Sequence, residues 1–85
     1  MISEKDIKKA KEISDIQEEF QKTKRLLQEG KTEELQKHLQ DLQKKYVLET
    51  LVYNTANPNP PQSLEENAIN CMNFLQSLIA SKSLE

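Results

Sequence analysis

Residues 46–63 read YVLETLVYNTANPNPPQS, an apolar helical segment that runs directly into a helix-breaking loop. The three prolines of this stretch lack an amide hydrogen, and each disfavours the α conformation of the residue before it. We therefore predict that a helix ends near Tyr53 and that residues 54–62 form an extended loop. Ser63 and Glu66 then show the capping-box pattern that opens another helix.

The sequence before this stretch predicts two helices joined by a tight turn. Gly30 is the single glycine of the chain, and a glycine directly after a helical stretch is the usual left-handed cap of a helix C-terminus. Thr32 follows as a candidate N-cap. We predict helix 1 over about 4–29, helix 2 over about 33–53 and, after the loop, helix 3 over about 64–81.

The composition predicts an all-α fold in one domain, 1–85. A sheet protein needs recurrent turn residues, and here the prolines are clustered and glycine is nearly absent. The short turn makes helices 1 and 2 an antiparallel hairpin, and helix 3 should complete a three-helix bundle. Leu84 and Glu85 resemble the remnant of an expression tag and are left out of the prediction.

The relative lengths of the helices leave dimerisation open. Helix 3 is shorter than helix 1, so we expect the hairpin tip near Leu26, Leu27 and Leu35 to project beyond the bundle or to be covered by a second copy. A dimer with a shared helical core is the expected oligomer if the chain self-associates.

Each helix carries one apolar stripe, except at the end of helix 2. Helix 1 has a narrow seam of coiled-coil width, and helix 3 has a stripe of about 120°. The first half of helix 2 has a matching seam at Leu35, Leu39, Leu42 and Tyr46. The opposite side of the helix then becomes apolar too, at Val47, Leu48, Leu51 and Val52. A helix end that is apolar nearly all round must be covered on two sides.

This apolar end is the candidate interaction surface. Ile69 and Phe74 of helix 3 fall outside its stripe and are further outward-facing candidates. The candidate interface therefore comprises Val47, Leu48, Leu51, Val52, Tyr53, Ile69 and Phe74. The competing interpretation, which the sequence slightly favours, is that this segment is ordinary core, covered by helix 3 and the start of helix 1.

The chain shows no constellation of residues that predicts catalysis. His38 is the single histidine, and without a second histidine at ligand spacing we expect a surface side chain rather than a metal ligand. Cys71, the single cysteine, lies on the apolar stripe of helix 3 and is expected to be a buried structural thiol. We therefore predict a non-enzyme with no metal and no cofactor.

The charges are balanced and give no basic excess of the kind that marks nucleic-acid modules. The formal net charge is −2. The cations of helix 1 alternate with Asp and Glu, which is typical of a solvated helix face; they are Lys5, Lys8, Lys9, Lys11, Lys22, Lys24 and Arg25. The charged N-terminus and the absence of a long apolar run favour an intracellular chain, cytoplasmic or nuclear, with no membrane partner.

Together these features predict a non-catalytic protein–protein interaction or assembly module, an adaptor that presents an apolar helical surface. Its partner would be another protein or a second copy of the chain. The alternative is a small nucleic-acid-associated regulatory protein that uses the lysines of helix 1. A nucleic-acid partner is the less favoured of the two because those lysines are interleaved with carboxylates.

Overall fold

The computed structural model describes residues 2–84, and these residues form helices and connecting segments without a strand. The all-α prediction is confirmed. Glu85 lies outside the described residues. The helices are α1 (Glu4–Gln28), α2 (Thr32–Lys45), α3 (Val47–Ala56) and α4 (Leu64–Ser83). The described chain therefore has four helices where the sequence predicted three.

The additional helix arises because the predicted helix 2 is divided at Tyr46. This residue has φ −118° and ψ 49°, outside the helical region. Its side chain is buried beside Phe74, with the ring centroids 6.3 Å apart. Tyr53 of α3 lies against the same ring, with the centroids 5.5 Å apart. Neither glycine nor proline marks this break, so the local sequence gives no sign of it.

The helix ends follow the local signals closely. The Ser3 hydroxyl accepts a hydrogen bond from the Asp6 amide at 3.2 Å, and Ser63 accepts one from Glu66 at 3.1 Å. The Glu66 carboxylate accepts the amide of Gln62 at 2.7 Å, one residue earlier than the predicted capping box requires. Thr32 is not the N-cap that the sequence predicts, because it is the first residue of α2 itself.

Gly30 ends α1 in the left-handed conformation, with φ 67°. The Lys31 amide donates to the Leu26 carbonyl at 3.1 Å and the Gly30 amide donates to Leu27 at 3.2 Å. These two bonds form a Schellman motif, which satisfies carbonyls that would otherwise have no partner at the helix end.

We expect Gly30→Ala to lower the free energy of unfolding by about 1 kcal/mol, because an L side chain disfavours positive φ. A Cβ atom at this position would meet no other atom within 4 Å, so the cost is conformational rather than steric. Gly30→Asn should cost less, since asparagine tolerates this region. Urea denaturation of the three chains measures the difference; an alanine variant as stable as the parent would contradict it.

The core consists of two clusters along the bundle. One contains Ile16, Leu42, Tyr46, Phe74 and Leu75, and the other contains Leu26, Leu35, Leu39 and Ala68. The second cluster shows that the predicted projection of the hairpin tip is wrong. The loop returns the chain to the tip, so that the first turns of α4, including Ala68, cover Leu26 and Leu35 there.

Helix α4 runs antiparallel to α1. Its start packs against Leu26, and at its other end the Lys82 ammonium lies 3.3 Å from the Glu12 carboxylate. Before this ion pair the chain has two exposed apolar side chains, Ile2 ahead of α1 and Ile7 near the start of α1. Helix α3 is the short link that crosses beside α4 before the proline-rich loop, and its position creates the surface described next.

Candidate interaction surface on α3

Helix α3 exposes four large apolar side chains. The exposed fractions are 56% for Val47, 72% for Leu48, 64% for Leu51 and 71% for Val52. At 100° per residue these positions span an arc of about 140°, centred almost opposite Tyr53. We call this arc the α3 face; it is defined by Val47, Leu48, Leu51 and Val52.

The α3 face carries no charged side chain. Thr55 is the other residue within the arc, and its hydroxyl donates to the Leu51 carbonyl at 2.9 Å. That bond turns the hydroxyl back onto the helix backbone. The face is therefore apolar across its whole width, in a chain in which 31% of residues are charged.

The opposite side of α3 anchors the helix to the bundle through Tyr53, which is half-buried. Its ring meets Phe74 of α4 edge-on, at an interplanar angle of 67°. Edge-to-face pairs of this kind add about 0.5–1.5 kcal/mol beyond the area they bury. Tyr53 is thus a packing residue that holds α3 in place rather than an exposed member of the α3 face.

Phe74 does not face outward as the sequence pattern predicts. It is 6% exposed and lies between Tyr46 and Tyr53. Phe74 belongs to the core cluster of Ile16 and Leu42, and Tyr53 of α3 covers its ring from another side. Ile69 is 45% exposed, but it lies about 140° around α4 from Phe74 and is therefore not part of the α3 face.

No known protein family, curated protein or solved structure matches this chain.

His38 is buried, contrary to the predicted surface position. It is 5% exposed, and its Nε2 lies 2.8 Å from the hydroxyl oxygen of Thr23, which is itself fully buried. The Thr23 hydroxyl donates to the Glu19 carbonyl at 2.8 Å. Because that hydroxyl has one hydrogen, its bond to Glu19 requires the Nε2–H of His38 to donate to Thr23, which corresponds to the tautomer with hydrogen on Nε2.

Several charges surround this histidine. The Glu19 carboxylate lies 3.9 Å from His38 Nδ1 and 3.7 Å from the Lys45 ammonium. Burial lowers the pKa of His38 below its usual 6.5, and Lys22 contributes to the decrease, while Glu19 and Asp41 oppose it. The sequence pattern contains one indication of the buried contact between His38 and Thr23. His38 is next to the seam residue Leu39, and Thr23 lies on the seam of helix 1.

Cys71 packs against both core clusters. Burial raises its pKa to about 11, with a smaller contribution from Glu19. The thiol therefore remains protonated at neutral pH and is a poor nucleophile. This environment is that of a packing residue.

Residues 2–84 contain no group of three or more His, Cys, Asp and Glu side chains that could hold a metal ion. No helix in this part of the chain is long and apolar enough to cross a membrane. The helix 1 cations of the nucleic-acid alternative lie mainly on exposed positions of α1, namely Lys5, Lys8, Lys11, Lys22, Lys24 and Arg25.

Proposed function

We propose that this chain is a non-catalytic interaction module whose helix α3 docks into an apolar groove on a partner protein. The observation that carries the proposal is the α3 face, in which four large apolar side chains are more than half exposed. Together they expose on the order of 400 Å² of apolar surface, a size at which patches on soluble proteins are often functional.

The area of this patch favours a different protein over a second copy. A stable interface buries about 800 Å² on each partner. Two α3 faces packed on each other would be two convex ridges in contact, and each face supplies only about half of that area. A concave groove would also cover the flanks of the ridge, as in helix-in-groove recognition. The proposal therefore commits to a grooved partner, and a homodimer becomes an outcome of the test.

We expect Leu51→Glu to weaken binding by about 30-fold or more, measured with a partner protein that the parent chain captures and that is then purified. A buried leucine contributes about 1.5–3 kcal/mol to binding, and a buried carboxylate adds a desolvation cost. Ile7→Glu is the matched control, because Ile7 is 59% exposed but lies near the start of α1. Both variants should keep the parent's unfolding midpoint, since exposed positions contribute little to stability.

The measurements are sedimentation velocity over a range of concentrations and titration of the purified partner against the three chains. Equal affinity for the parent and Leu51→Glu would overturn the proposal. The parent chain could instead form a reversible dimer that Leu51→Glu dissociates and Ile7→Glu does not. In that case the α3 face binds a second copy of the chain rather than a grooved partner.

A further inference from the structure

A small, partly open cavity adjoins α3 and is lined by residues of α2, α3, the proline-rich loop and α4. Its volume is about 100 Å³. It lies where the two core clusters meet: Leu39 belongs to one, Leu42 and Phe74 belong to the other, and Cys71 packs against both. The floor of the cavity is therefore made of core side chains rather than of surface residues.

The lining is uncharged throughout. None of its eleven residues is Asp, Glu, Lys, Arg or His, although nearly a third of the chain is charged. Four side-chain amides stand around the apolar floor, from Gln43, Asn54, Asn67 and Asn70. Within residues 2–84 none of these amides takes part in a hydrogen bond of the fold. The cavity thus combines an apolar floor with amides that have unused donors and acceptors.

The size and polarity of the cavity restrict what can enter it. Sites for small-molecule ligands usually measure about 300–1,000 Å³, whereas an apolar cavity of about 150 Å³ is large enough for benzene. About 100 Å³ matches one leucine-sized side chain, or one ring that projects partly through the open side of the cavity. A charged group would lose its hydration without gaining an ionic partner.

The cavity opens beside the α3 face. Around α3, Thr50 and Asn54 lie between the inward Tyr53 and the outward Leu51, and both line the cavity. A wall of a groove that covers Leu51 would therefore reach the cavity next. Amide side chains at that point can bond both the N–H and the C=O of a partner's backbone.

We infer that this cavity receives one uncharged apolar side chain from the wall of the partner's groove, and that the surrounding amides bind the partner's backbone beside it. The inference rests on the proposed function and adds the chemistry of the anchoring residue. The α3 face supplies contact area along the ridge, and the cavity supplies a defined position at which one side chain is enclosed.

The first test needs no partner, because benzene can serve as the probe. In an NMR titration of the parent chain, benzene should cause saturable shifts centred on Leu39, Cys71 and Phe74. Thr50→Leu and Cys71→Leu each place extra volume in the cavity from a different wall and should abolish those shifts. Leu51→Glu should leave them unchanged. If benzene does not bind the parent, or binds the filled variants equally well, the inference is wrong.

The second test measures affinity for the purified partner. Filling the cavity should weaken binding by about 10- to 100-fold, the effect of losing one buried apolar side chain. The unfolding midpoint of each variant shows whether that variant has folded. Because Thr50 lies on α3 and Cys71 lies on α4, the two variants fill the cavity independently of each other. If Leu51→Glu weakens binding while the folded filled variants bind normally, the cavity inference fails and the proposed function stands.

Discussion

Phe74→Ala is expected to remove about 3–5 kcal/mol of folding stability, the range found for truncating buried aromatic residues. This loss would be a large share of the total stability expected for 85 residues, about 4–13 kcal/mol. The ring lies between Tyr46 and Tyr53, so its removal leaves a void between α4 and α3 and withdraws the anchor of α3.

Two measurements test this prediction. Urea denaturation should show a large fall in the midpoint, and amide hydrogen exchange should show that any folded variant loses protection in α3. Ile69→Ala is the control on the same helix, because Ile69 is 45% exposed and its truncation should change stability by less than about 0.5–1 kcal/mol. Similar losses for the two variants would contradict the placement of Phe74 in the core.

The second large effect is expected on acidification, through His38. Its pKa in the folded chain is lowered, chiefly by burial. The folded state therefore binds fewer protons than the unfolded state once the pH approaches 6.5, the usual value. The stability contribution of this group is complete above pH 6.5 and decreases as the pH falls through that value. The decrease ends below the folded-state pKa, where both states are protonated.

The charged neighbours of His38 moderate this effect without reversing it. A proton on Nδ1 would face the Glu19 carboxylate at 3.9 Å, which favours the charged ring. Lys45 lies 3.7 Å from the same carboxylate and competes for it. Lys22 disfavours the charged ring and Asp41 favours it. Burial sets the net direction of the shift in the His38 pKa, which is downward. Acid should therefore destabilise the fold.

Denaturation at intervals between pH 5.5 and 8 measures the effect. One titrating group can change the free energy of unfolding by at most about 1.4 kcal/mol per pH unit. His38→Gln provides the control, because its amide can still donate to Thr23 and does not titrate. We expect the difference between the parent and this variant to shrink or change sign as the pH falls; a pH-independent difference would contradict the buried neutral histidine.

The sequence by itself determined where most helices begin and end. Ser3, Gly30 and Ser63 act through hydrogen bonds to residues within five positions along the chain, and the prolines act on their immediate neighbours. These interactions do not depend on what packs against the helix. The all-α class and the apolar character of the α3 segment followed from the same local properties.

Tertiary structure alone decided which side of each helix is covered. Tyr46 leaves the helical region where its ring packs beside Phe74, and Phe74 is buried because α3 reaches α4 from a direction that helical periodicity cannot specify. His38 is buried because Thr23, 15 positions away along the chain, lies opposite it. Periodicity fixes the angle between residues on one helix, but the position of the neighbouring helix determines which of those angles faces water.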